Sequence, residues 1–246
     1  MIPILYRFAR RQYKHFFEAM TREEYQSFLN KYAPQIEQIR QQAHDLHQSV
    51  NQTYGDNLPY GFHLDMVAQG VHDYGHLVCA SEHDVVPLFF SAYYHDSIED
   101  ARLSYNDVVR VARKLMDNDQ ALLAAEIVYA LTNEKGRTRA ERANERYYEG
   151  IRQTPYAPFV KLCDRLANVT YSCSVDAGGD IRMKEVYKNE MGEFLMDIRN
   201  NNPDQRFLVP DDVILALAEI LIEERFREET LEEWRAEHAR SRVDLI

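Results

Sequence analysis

Apolar residues recur along this chain every three to four positions, the spacing of a helix with one buried face. Alternation at period two is not evident, so the predicted class is all-α. Ile4, Leu5, Phe8, Tyr13, Phe16, Phe17 and Met20 predict a first amphipathic helix. Thr21 with Glu24 three residues on reads as a capping box for a second, running to about residue 31, and Pro34 sits near the start of a third. Residues 51–62, NQTYGDNLPYGF, hold two Gly, a Pro and two Asn and predict a loop. A helix follows from about His63, and another spans about 84–97. The stretch VVPLFFSAYY in the latter is apolar on nearly every side, the mark of a central, buried helix. Ser104 and Asp107 predict a further cap. Helices are then expected over 120–131, 140–152, 157–172 and 181–198, with two charged helices after Pro210. Long terminal helices would flank a middle region of about 52–198.

Charge narrows the choice of partners. The chain has 246 residues with 29 Lys+Arg against 40 Asp+Glu, a formal charge of −11. A nucleic-acid coat needs a net basic face, so no nucleic-acid partner is expected, although a local basic pocket for a small anion remains open. Nine Gly and eight Pro are few, in keeping with long helices and few tight turns. Three cysteines, none in a CxxC, read as reduced thiols of a cytoplasmic protein. No apolar run approaches the ~18 residues of a membrane span. The opening MIPILYRFARRQYKHFF lacks the form of a secretory signal. The expectation is one domain without a membrane or nucleic-acid partner. The stretch RFREETLEEWRAEHARSR, with a sparse stripe of Phe226, Leu231 and Trp234, would cover the core or form a homo-oligomer interface.

Candidate chemistry gathers at three places. His-Asp occurs four times, at His44, His72, His83 and His95, but only His95-Asp96 closes a buried apolar helix and runs on into acid, YYHDSIEDA. Continued as a helix, His95, Asp96, Glu99 and Asp100 would share one face, at about 0°, 100°, 40° and 140°. Carboxylates crowded at a helix C-terminus oppose the macrodipole unless a cation sits among them. The second place is VKLCDRLANV, where Asp164 and Asn168 are four apart. The third is His63, opening a helix after the Gly/Pro loop. Two imidazoles and two carboxylates suit a borderline divalent metal such as Mn, Fe or Zn. Glu99 and Asp100 remain as general acid/base candidates. The run NEKGRTRAERANERYY supplies local positive charge, with Lys135 and Arg139 the candidates to face a pocket, though its interleaved acids equally suit a solvated helix face.

The pattern H…HDxxED…D, here His63, His95-Asp96, Glu99-Asp100 and Asp164, resembles the signature of the HD-domain metal-dependent phosphohydrolases. YGDNLPYGFH, AYYHDSIEDA, YALTNEK and VKLCDRLANV resemble the hydrolase half of SpoT/RelA-type alarmone enzymes, above all the small single-domain versions. The resemblance covers about residues 44–198, with 1–43 and 205–246 as flanking helices. It implies an HD-domain helical bundle in which His63, His95, Asp96 and Asp164 hold one metal, typically Mn²⁺, with Fe, Zn or Mg as alternatives. Glu99 and Asp100 would orient or deprotonate the attacking water. Thr132 and Asn168 would line a nucleotide pocket, and Lys135, Arg182 and Tyr187 would meet phosphate or base. The implied reaction removes pyrophosphate from the 3′ position of guanosine 3′,5′-bis(diphosphate).

Three features depart from that family. The stretch before His63 lacks the family's basic pair, so its substrate could be another nucleotide or a phosphorylated cofactor. His63 and His95 stand 32 residues apart, a wider spacing than the family's, which leaves His72 or His76 as an alternative ligand. No stretch outside the HD region is long enough for a synthetase domain. A regulatory module that binds a nucleotide without turnover is the competing class, although every ligand and both acids are present.

Overall fold

The computed structural model describes residues 20–55, 57–174 and 181–222. Ten α-helices occur among them and the fold is all-α. α1 spans Arg22–Ser49. It opens with the expected box: Thr21 Oγ1 accepts from Glu24 N at 3.1 Å, and Thr21 N donates back to Glu24 Oε2 at 2.9 Å. The predicted break at Pro34 does not occur. Pro34 is exposed on the outer face, while Tyr25, Leu29, Ile39, Ala43 and His47 form one buried stripe down the whole helix. Burial of that stripe outweighs the hydrogen bond that the proline removes. The boundary expected at residue 44 therefore lies inside a continuous helix. The predicted helix over residues 4–20 lies outside the described residues.

The loop over 51–62 carries a small antiparallel hairpin that the periodicity did not reveal. β1 (Thr53–Tyr54) pairs with β2 (Leu58–Pro59) in the register Thr53↔Pro59 and Tyr54↔Leu58. Gly55 turns it with a φ of +56°, and a Cβ there would stand 1.9 Å from the Tyr171 hydroxyl. Conformation and space both require glycine.

α2 (Gly61–Tyr74) and α3 (Val85–Tyr94) follow. All ten residues of α3 are buried, as an all-apolar helix requires, and it packs against α1 and α2. α4 (Tyr105–Ala112) starts at the Ser104–Asp107 capping box. α5 is Asn118–Leu131. The single helix expected over 140–152 is two, α6 (Arg139–Arg142) and α7 (Glu145–Gln153). Asn144 divides them, because its side chain accepts from Tyr147 N at 3.1 Å and so caps α7. α8 (Ala157–Cys173) lies against α2, α9 (Ile181–Ile198) and α10 (Asp211–Ile222). Val213, Leu217, Ile220 and Leu221 of α10 join the main core, so this flanking helix covers it. The second charged helix, with its Phe226, Leu231 and Trp234 stripe, lies outside the described residues. Cys79, Cys163 and Cys173 are buried and free. No helix among the described residues is long and apolar enough to cross a membrane.

Candidate metal centre

Three elements converge on one point. α2 presents His63 in its first turn, His95 caps the C-terminal end of α3, and α8 carries Asp164 in mid-helix. His63 Nε2 and His95 Nε2 face each other at 3.2 Å. Asp164 Oδ1 lies 3.4 Å from the first and 3.8 Å from the second. Asp96 Oδ2 lies 3.6 Å from His63 Nε2 and 2.8 Å from His95 Nε2. One ligand atom from each of His63, His95 and Asp96 falls within a sphere of mutual distances up to 4.8 Å. Two imidazole nitrogens and the Asp96 carboxylate oxygen suit a borderline divalent cation, and Asp164 Oδ1 stands beside this group, within 3.8 Å of both imidazole nitrogens.

The surroundings orient these donors. His95 Nδ1 is 2.9 Å from the Ala92 carbonyl. A carbonyl only accepts, so Nδ1 carries the proton and Nε2 is turned to the centre. Tyr60, the residue before α2, donates its hydroxyl to Asp96 Oδ2. Asp164 is held from both sides along α8. Lys161 Nζ takes Oδ2 at 2.8 Å and Asn168 Nδ2 takes Oδ1 at 2.7 Å. Burial alone would raise both carboxyls. The His95 ring beside Asp96 and the Lys161 ammonium beside Asp164 outweigh it and hold both below the usual carboxylate range. Burial opposes charge on His95, yet Asp96 raises it to about 9. The cluster thus favours positive charge at its centre.

The helical face expected for Glu99 and Asp100 does not form, because α3 stops at Tyr94 and residues 95–100 are successive turns. The two acids separate. Glu99 faces the 132–142 segment, accepting from Asn133 Nδ2 at 2.8 Å with Arg142 at 3.6 Å. Asp100 stays beside Asp96 and Tyr60, and burial with the Asp96 charge pushes it up to about 6.

The expected substrate residues divide similarly. Asn168 lies in the centre's support, bonded to Asp164 and to Tyr54. Tyr187 on α9 is close enough for the Asp164 charge, after burial, to raise its hydroxyl. The guanidinium carbons of Arg165 and Arg139 stand 4.8 and 5.5 Å from its ring centre. Both arginines also reach Glu190 Oε2, at 3.5 and 2.8 Å. Thr132 donates to the Val128 carbonyl within its own helix end, and Lys135 and Arg182 are exposed. His72 pairs with its neighbour Asp73 at the far end of α2, and His76 lies beyond it, so His63 is the histidine brought to the centre. His44 turns to Asp65 and His83 to Asp117.

Tyr54, Tyr60 and Lys161 are the parts that reading the residues missed. Lys161 could have been found, since it lies one turn before Asp164 on the same face of an apolar helix. The tyrosines carry no local signal. No family model and no curated protein matches this chain.

Proposed function

We propose that this chain is a divalent-metal-dependent phosphohydrolase acting on a nucleotide, with the 3′-pyrophosphate of guanosine 3′,5′-bis(diphosphate) as the first substrate to test. The observation that carries the reading is the convergence of His63, His95, Asp96 and Asp164 from three helices, in line with the resemblance of the motifs. His63 and His95 supply nitrogen, and Asp96 and Asp164 supply oxygen, to an ion such as Mn²⁺. Such an ion supplies Lewis-acid polarisation of a phosphoryl oxygen and an activated water. Asp100, raised to about 6 by burial and the Asp96 charge, would take the proton of the attacking water and return one to the leaving oxygen. Arg139 and Arg165 around Tyr187 offer cations and an aromatic face to an anionic nucleotide.

A second substrate reading, another nucleotide or a phosphorylated cofactor, is favoured by one observation. Residues 51–61 hold no Lys or Arg, and the hairpin they form points Tyr54 toward Asn168 instead.

The test is an assay of chelator-stripped protein with added Mn²⁺ on the bis(diphosphate) beside a panel of nucleotides, with Asp96→Ala as control. Release of pyrophosphate and GDP, abolished by the substitution, is the expected result. Cleavage of another panel member replaces the substrate. No metal-dependent cleavage of any member overturns the hydrolase and leaves a binding module.

A further inference from the structure

The two histidines at the centre are oriented by different means. His95 is fixed by the Ala92 carbonyl on its Nδ1. His63 Nδ1 is buried and has no hydrogen-bond partner. Metal-binding histidines almost always anchor their second nitrogen, so the orientation of His63 needs another source. Tyr54 of the hairpin provides one: its ring stacks on His63 with centroids 4.8 Å apart and planes 18° apart.

The same side chain reaches a second ligand. Asp164, ionised, can only accept, so the Asn168 group 2.7 Å from Oδ1 must be its NH₂. That leaves Asn168 Oδ1 as an acceptor, and the Tyr54 hydroxyl 3.0 Å away must donate to it. Asn168 Nδ2 also reaches the Asp164 carbonyl at 3.0 Å, which pins the amide in this orientation. Tyr54 is itself held, by Tyr171 at 4.6 Å and Tyr60 edge-on at 6.2 Å, on a hairpin closed by Gly55.

We infer that Tyr54 is a positioning residue of the metal centre, setting the His63 ring by stacking and the Asp164 carboxylate through Asn168. The inference rests on the reading of His63, His95, Asp96 and Asp164 as ligands of one divalent cation. It gives the hairpin a function: a single residue from the stretch between α1 and α2 couples ligands on α2 and α8.

The probe is Co²⁺, titrated into chelator-stripped wild type, Tyr54→Phe, Tyr54→Leu, Asn168→Ala and the Tyr54→Phe/Asn168→Ala double variant. Affinity and the visible absorption of the bound ion are read, and circular dichroism checks folding. Tyr54→Phe keeps the stack and loses the hydroxyl, and is expected to weaken Co²⁺ binding roughly tenfold. Tyr54→Leu loses both, and is expected to weaken it further and to shift the absorption bands. Because the hydroxyl acts only through Asn168, Tyr54→Phe should add nothing in the Asn168→Ala background. Folded Tyr54 variants with wild-type affinity and spectrum overturn this inference alone. Full multiplication of the two single effects overturns the relay through Asn168. Wild type that does not bind Co²⁺ overturns the metal reading together with it.

Discussion

At the scale of single residues, the site separates groups that the sequence sets side by side. Glu99 and Asp100 are neighbours in the chain, yet only Asp100 stays beside Asp96 and Tyr60, while Glu99 ties down the segment that carries Asn133 and Arg142. On the proposed hydrolase reading, Asp100→Asn should therefore lower kcat by at least 10²-fold in the Mn²⁺-loaded protein, with metal affinity nearly unchanged. Glu99→Gln should act mainly on KM, through a looser 132–142 segment. Steady-state kinetics of the two variants on whichever nucleotide is cleaved check this. Equal collapse of kcat in both would restore the shared role that a helical face implied. The candidate pair His95-Asp96 was legible because His, paired with Asp and followed by more acid, is a costly combination to bury, whereas His63 and Asp164 carry no such local signal and were singled out by the motif pattern as a whole. Tyr54 and Tyr60 were not, because tyrosines in a loop are ordinary until long-range contacts place them, whereas Lys161, one turn before Asp164, was within reach of the sequence.

Elements were legible where their causes are local. The starts of α1 and α4 follow from side chains three residues apart, and the burial of α3 from its own composition. Pro34 misled because a local breaker competes with a buried stripe running from Tyr25 to His47, whose partners lie on other helices. The break at Asn144 has a local cause, its cap on Tyr147 three residues on, that apolar periodicity alone does not show.

The same inner face of α1 carries a prediction. His47 is fully buried, stacks on Tyr60 at 4.6 Å, and has no hydrogen-bond partner on either ring nitrogen. Burial pushes it down to about 4 from an ordinary 6.5. Between those values the unfolded chain binds the proton and the folded one does not, so stability present above pH 6.5 is lost as pH falls. Urea unfolding at pH 7 and pH 4.5 should show wild type losing about 2 kcal/mol more than His47→Phe. An equal loss in both would place the titration elsewhere.

For the molecule as a whole, the helices serve to bring three distant segments to one point. α2, α3 and α8 share the same core, and α1 and α10 pack around them. His63 and Asp164 thus sit on helices of the core, with His95 and Asp96 just past the end of α3, and on the proposed metal reading such a preformed centre would spend little ordering entropy on binding. A chain with a net charge of −11 still gathers Lys161, Arg165 and Arg139 on the side of the centre formed by α8 and α9. These cations pair with Asp164 and Glu190, and on the proposed reading they would also meet an anionic nucleotide.

The most direct test is calorimetric titration of Mn²⁺ into chelator-stripped protein across pH 6.5–8.5. One ion per chain is predicted, with affinity rising with pH. His95, held protonated to about 9 beside Asp96, must release its proton before its nitrogen can bind the ion. Binding should be lost in His95→Ala. No binding by the wild type, or binding unchanged by that substitution, would contradict the account.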